Sequence, residues 1–234
     1  MEEIIMKRSE INKALKEFEA MCEKYHCYLP PFCHFTPEEW QNIGHEYDEV
    51  RDCMLGWDIT DYGMNDFDKF GFSLITIRNG NRAMEDKYPK VYAEKLLYLK
   101  EGQYAPNHFH WYKTEDIINR GGGNVLIRVY NSLENEEIDY ESDVTVHTDG
   151  RTYTVPAGTQ IRLTPGESIH VQQFLYHDFA VEEGTGPVLL HPSARTHPSS
   201  GTCHLCLPQL PATDQAVRLH RRSGAALLRH RDRR

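Results

Sequence analysis

Apolar residues recur at Ile11, Leu15, Phe18 and Met21–Cys22, a three-to-four-residue spacing that predicts a helix over about 9–23. Tyr28-Leu29-Pro30-Pro31-Phe32 interrupts that pattern. Thr36-Pro37-Glu38-Glu39 marks a second helix start, because Thr36 can cap, Pro37 suits the first turn and Glu39 can complete a capping box. This helix is expected to run to about Cys53. From Gly71 onward strands dominate: Phe72–Arg78, Tyr92–Lys100 and Val125–Tyr130, then Val144–Thr148 and Arg151–Val155 joined by Asp149-Gly150, a primed-turn hairpin signal. Short strands follow near 159–163, 167–173, 177–183 and 187–190. Many short, closely spaced strands behind a helical section predict a mainly β fold, a small barrel or double-sheet jelly roll. The expected organisation is a helical section over 1–70 packed on a barrel over 71–190, with residues 191–234 as an atypical tail.

Composition changes this picture at one place. The 234 residues suit one sizeable domain with or without an appendage, and the net charge of −9 argues against a general nucleic-acid binder. No apolar run is long enough to predict a membrane span, and Met1-Glu2-Glu3 is not the basic start of a signal peptide. The scattered Cys22, Cys27, Cys33, Cys53, Cys203 and Cys206 read as reduced thiols, so a cytoplasmic protein is expected. Residues 191–234, however, hold eight Arg, two Asp, five His and four Pro and lack Lys, Glu, Ile, Phe, Tyr, Trp, Asn and Met. So abrupt a change of alphabet points to a shifted reading frame near Leu190; the alternative is a basic tail for an acidic partner or RNA. Cys203-His204-Leu205-Cys206 is half a zinc motif with no second half.

The candidate chemistry centres on His108-Phe109-His110 and Glu115. Residues two apart on a strand share a face, so both imidazoles can reach one ion, and Glu115 can add a carboxylate oxygen. That donor set suits Mn, Fe, Co, Ni or Zn. A further ligand is expected from a later strand on the opposite wall. His147, His170 and His177 are the candidates; His177, in Phe174-Leu175-Tyr176-His177-Asp178-Phe179, is preferred, and surface histidine is the plain reading of the other two. Gly102 precedes His108 by six residues and Gly121–Gly123 follow Glu115, a spacing that resembles the first metal-binding motif of cupins.

The resemblance extends further. Tyr88-Pro89-Lys90-Val91-Tyr92-Ala93-Glu94-Lys95, His108-Phe109-His110-Trp111, Lys113 and Glu115-Asp116-Ile117-Ile118-Asn119-Arg120-Gly121-Gly122-Gly123 resemble the bacterial D-lyxose isomerases. So do Leu29–Phe32, Leu55–Asp61 and Leu163–Ile169, and the similarity covers residues 6 to 190. It implies a cupin barrel, commonly a homodimer, that uses Mn²⁺ to interconvert D-lyxose and D-xylulose, and often D-mannose and D-fructose. The implied metal ligands are His108, His110, Glu115 and His177. Two departures stand out. Gln172-Gln173-Phe174 occupies the place where relatives usually have Pro-Pro-Gly before Leu-Tyr-His, and His191-Pro192-Ser193-Ala194 replaces their usual Gly-Glu-Val-Ser.

Aldose–ketose isomerisation of this kind moves hydrogen between C1 and C2, by a cis-enediol or by a hydride shift. It needs a Lewis acid, an acid–base group and polar groups that hold the open-chain sugar. Lys95 and Lys113 are the acid–base candidates; strand alternation through Glu94-Lys95-Leu96 turns one of those two charges inward. Trp111, Glu94 and Glu167 are candidate substrate contacts, with Trp57 as another stacking surface and Arg120 as a clamp beside the glycine turn. The alternatives are a non-catalytic sugar-binding cupin and a metal-dependent dioxygenase, since the same donors support O₂ chemistry.

Overall fold

The computed structural model describes residues 6–195 throughout and the backbone of 203–206 and 216–218. Most of the tail, including the side chains of its Cys203–Cys206 run, lies outside the described residues. Helix α1 (Arg8–Lys24) starts with the Glu10 carboxylate accepting from the Lys7 N–H, and buries Ala14, Phe18, Met21 and Cys22 along one face. Thr36 and Glu39 form the expected reciprocal cap. The second helix is nonetheless shorter than its polar–apolar pattern predicts. It breaks into α2 (Pro37–Asn42), a 3₁₀ turn (His45–Tyr47) and α3 (Asp48–Asp52), because Ile43 is extended and the Arg51 guanidinium binds the carbonyls of Ile43 and Gly44 that a continuous helix would use internally.

The strands are β1 (Gly56–Thr60), β2 (Phe72–Arg78), β3 (Tyr92–Leu99), β4 (Tyr104–His110), β5 (Glu115–Gly122), β6 (Val125–Ser132), β7 (Ile138–Asp139) and β8 (Val144–Thr148). They continue as β9 (Arg151–Val155), β10 (Gln160–Leu163), β11 (Ser168–Val171), β12 (Tyr176–Val181), β13 (Val188–Leu190), β14 (Ser193–Arg195), β15 (Cys203–Cys206) and β16 (Ala216–Arg218). Their antiparallel ladders build two sheets, one ordered β1-β2-β3-β13-β5-β11-β8-β9 and the other β10-β6-β12-β4-β15-β16. Asp149 and Gly150 both have positive φ, as the primed turn between β8 and β9 requires. The core between the sheets contains Leu97, Leu99, Ala105, Ile117, Val125, Ile127, Val129, Val144, Val146, Phe179 and Val188. A second cluster, with Phe18, Met21, Ile75, Ile77, Leu96, Tyr98 and Leu189, glues α1 to the outer face of the first sheet. This is the cupin-type double-sheet barrel, with helices ahead of it.

Strand pairing does not stop at the limits read from composition. β1 precedes residue 71 and pairs in register with β2. β14 lies beyond residue 190, yet it continues the line of β13 between β3 and β5, with Ser193 opposite Glu94 and Ala194 opposite Glu115. Backbone pairing also sets Cys203 opposite His110 and Leu205 opposite His108. At the end of β5 the run Gly121–Gly123 has a steric reason. A Cβ at these positions would strike the Tyr25 ring, the Pro187 carbonyl and the Gly186 carbonyl in turn, so glycine lets the strand slide beneath its neighbours.

Candidate active site

β4 and β12 are antiparallel neighbours, with His177 directly opposite His108. The ladder then slips: three steps from His108 to Ala105 on β4 match two from His177 to Phe179 on β12. This bulge at Pro106–Asn107 lets Ala105 join the core while His108 and His110 face the same interior. The bulged Pro106 carbonyl is also put to use, lying 2.8 Å from His108 Nδ1. On the facing strand the Leu175 carbonyl lies 3.0 Å from His177 Nδ1. A carbonyl only accepts, so each Nδ1 carries the proton and each Nε2 keeps its lone pair.

The three rings converge, with centroids 4.2 Å apart for His108–His177, 5.0 Å for His108–His110 and 5.5 Å for His110–His177. One nitrogen from each lies within 4.8 Å of the others; no other set of three metal-capable groups among the described residues is this close. His177 is fully buried and His108 and His110 are 8% exposed. Desolvation by that burial pushes all three down to about 3, helped by the neighbouring histidines and Lys113. They are therefore neutral, ligand-ready imidazoles across the physiological range. Buried and without a hydrogen-bond partner, the Nε2 atoms of His110 and His177 are the arrangement a bound cation satisfies and an apolar core does not.

Glu115, also buried, opens β5 beside this cluster. Its Oε2 is 2.8 Å from Lys113 Nζ and 3.5 Å from His110 Nε2, the latter longer than a good hydrogen bond. Burial alone would raise its pKa, but the Lys113 ammonium and His110 together hold the carboxyl well below the usual carboxylate range. The donor set is thus three neutral imidazoles, which fit a divalent ion; Glu115 lies beside them, outside the set whose ligand atoms come within 4.8 Å of one another.

The other residues singled out in the sequence divide clearly. Lys95 shares the barrel-side face of β3 with Leu97 and Leu99, whereas Glu94 shares the opposite face with Leu96 and Tyr98. There Glu94 binds Arg78 at 2.7 Å and approaches His191 Nε2 at 3.2 Å. Glu167 is spent on its own turn, accepting from the Thr164 N–H and hydroxyl at 2.7 and 2.9 Å, bonds that lower its pKa. Trp111 turns away from the histidines; its ring sits 5.1 Å from Phe109 and its N–H donates to Glu136. Trp57 packs edge-on against Phe18 beneath α1, and Arg120 is exposed. Neither His147 nor His170 enters the interior. The carbonyls of Pro106 and Leu175, which orient two of the rings, carry no signal in residue type.

A double-sheet barrel with buried histidines converging on its inner wall defines a cupin-type protein with a candidate metal centre. A sequence profile described as D-lyxose isomerase matches residues 6–196. The D-lyxose/D-mannose isomerase of Escherichia coli O157:H7 is 45% identical over 186 residues, covering 79% of this chain and 81% of that protein; its counterpart from Serratia proteamaculans is 44% identical over the same shares. The chain belongs to the D-lyxose isomerase family and is a sugar isomerase. Among solved structures, the Cellulomonas parahominis L-ribose isomerase with L-ribose has a TM-score of 0.52 at 13% identity, covering 97% of this chain and 98% of that one. The Geodermatophilus obscurus L-ribose isomerase has a TM-score of 0.51 at 15% identity, covering 83% of this chain and 87% of that one. At such identities the likeness is one of fold.

Proposed function

We propose that this chain interconverts D-lyxose with D-xylulose, and D-mannose with D-fructose, through a cis-enediol, using a divalent ion, Mn²⁺, held by His108, His110, His177 and Glu115. The observation that carries this reading is the convergence of three buried, neutral imidazoles, two with unpartnered Nε2 atoms, in a member of a sugar isomerase family. When bound, the ion supplies Lewis acidity toward the sugar's carbonyl and neighbouring hydroxyl. The chain's own residues do the rest. Proline- and leucine-carbonyl hydrogen bonds keep two histidines in one tautomer. Lys113, whose ammonium lies 2.8 Å from Glu115 and keeps it ionised, is one acid–base candidate. Lys95, on the barrel-side face of β3, is the second acid–base candidate.

The experiment is ketose formation from D-lyxose and D-mannose by the purified, mass-verified chain, first chelated and then resupplied with Mn²⁺. Turnover restored by the metal supports the proposal. Absence of turnover with Mn²⁺ bound would refute it for this chain and favour a sugar-binding cupin, while oxygen consumption with substrate would favour the dioxygenase. A cytoplasmic homodimer completes the reading, supported by the free thiols of Cys22, Cys27, Cys33 and Cys53 for the compartment. Light scattering of the purified chain tests the dimer. No helix among the described residues is long and apolar enough to cross a membrane.

A further inference from the structure

Phe174 stands in a conformation its side chain disfavours. Its φ is +61°, in the left-handed region that glycine enters freely and a bulky residue enters only under constraint. The residue is 43% exposed, so burial is not a full compensation. Strain of this kind costs on the order of 1 kcal/mol and persists where the surroundings hold it in place.

Those surroundings are the candidate metal centre, seen from behind. Phe174 lies in the Gln172–Leu175 turn between β11 and β12, closed by the Leu175 N–H on the Gln172 carbonyl. The Phe174 N–H donates 3.0 Å to the carbonyl of His110. The next residue, Leu175, is the one whose carbonyl orients His177. The Phe174 ring packs 5.5 Å from the ring of Phe109, which lies between His108 and His110 in sequence and is fully buried. Phe109 in turn meets Tyr176 edge-on at 4.9 Å, beside His177. One short turn thus reaches all three histidines: His110 through its carbonyl, His177 through Leu175, and His108 with His110 through Phe109.

We propose that Phe174 is a positioning residue of the metal centre, bracing the two histidine-bearing strands from the side opposite the ion. This rests on the metal reading above. Glycine would satisfy the backbone of this turn without strain but would leave Phe109 unsupported from outside. Phenylalanine accepts the strain and keeps the brace.

Two truncations separate these effects. Phe174→Ala keeps the backbone strain and removes the ring, whereas Phe174→Gly removes both; Phe174→Tyr restores a ring. Mn²⁺ affinity is read from the free-ion electron paramagnetic resonance signal, and ligand geometry from the visible absorption of the Co²⁺-loaded chain. Both truncations are expected to weaken Mn²⁺ binding on the order of tenfold, the scale of other outer supports of metal ligands, and to change the Co²⁺ spectrum. Phe174→Tyr is expected to return both to the parent values, and Phe174→Gly to melt above Phe174→Ala. Parent-like Mn²⁺ affinity and Co²⁺ spectrum in Phe174→Gly would overturn the proposal. A His110→Ala control keeps this distinct from the underlying reading: if that variant binds Mn²⁺ like the parent, the metal site itself is wrong, whereas loss of binding there with none in Phe174→Gly removes only the brace.

Discussion

Among the described residues the barrel carries two groups of cross-strand histidines, and their difference shows what makes a candidate metal centre. His177 and His108 face each other across β12 and β4; His170 and His147 face each other across β11 and β8. Register is the same in kind. Inside, the Nδ1 atoms of His108 and His177 are tied to main-chain carbonyls, the rings sit in a desolvated wall, and the Nε2 atoms of His110 and His177 have no hydrogen-bond partner. Outside, His170 Nδ1 meets the exposed Asp116 at 2.8 Å, and His147 meets Thr152 and Gln172, both at 2.9 Å. The outer pair is half-exposed and satisfied by side chains and solvent. Two facing histidines are therefore not enough; burial that leaves a lone pair unanswered distinguishes the inner set.

The largest test of this contrast is His110→Ala against His170→Ala. The first is expected to abolish Mn²⁺-dependent ketose formation, a loss of at least about a thousandfold for a site that depends on its ion; the second is expected to leave turnover within about twofold. Wild-type turnover and metal content in His110→Ala would collapse the distinction. Next comes Lys113→Ala, which leaves the buried Glu115 carboxylate without its cation. Breaking such a pair costs on the order of 3–5 kcal/mol, so denaturant unfolding of the metal-free variant should show a loss of that order, and an unchanged midpoint would deny the pairing.

Saturating Mn²⁺ should then stabilise the parent by about 2.7 kcal/mol at a hundredfold excess over Kd, and His110→Ala by little. Calorimetric melting with and without a chelator measures it. The pH dependence of the metal-free chain follows from the depressed histidines. Their folded values of about 3 lie below the ordinary 6.5, so the unfolded state binds more protons between those values. Stability should therefore fall as pH drops below about 6.5, by up to about 1.4 kcal/mol per histidine per pH unit, and Mn²⁺ should deepen this dependence because protons compete with it. A flat profile from pH 7 to 5 would mean the inner histidines are not held neutral. Smallest of all, His147→Gln or His170→Gln should move stability by no more than about 0.5 kcal/mol, as for other exposed positions.

Much of this was legible in residue order. The α1 spacing, the Thr36–Glu39 cap, the Asp149-Gly150 turn and the His108/His110 pair each depend on local rules, and each stands in the structure. The second helix is shorter than its pattern predicts because its break depends on Arg51 reaching back to Ile43 and Gly44, an interaction with no periodic signature. Glu94 and Lys95 were separable only in principle: alternation says they diverge, but the packing of Leu96 and Tyr98 under α1 decides which faces the barrel. Gln172-Gln173-Phe174 stands where relatives usually have Pro-Pro-Gly; that a turn forms there with Phe174 in the left-handed region is a tertiary result.

By itself the sequence determined the donor types, the two-residue spacing that puts two imidazoles on one face, and the strand-rich text that demands a closed sheet, because these follow from covalent geometry and local hydrogen bonding. Only the tertiary structure decided which distant histidine joins the pair, that a bulge aims them inward, and that Glu94, Glu167 and Trp111 are engaged elsewhere. Those outcomes rest on strand register and on burial. Both are set by contacts between residues far apart in the chain, where a shift of one position turns every side chain to the opposite face.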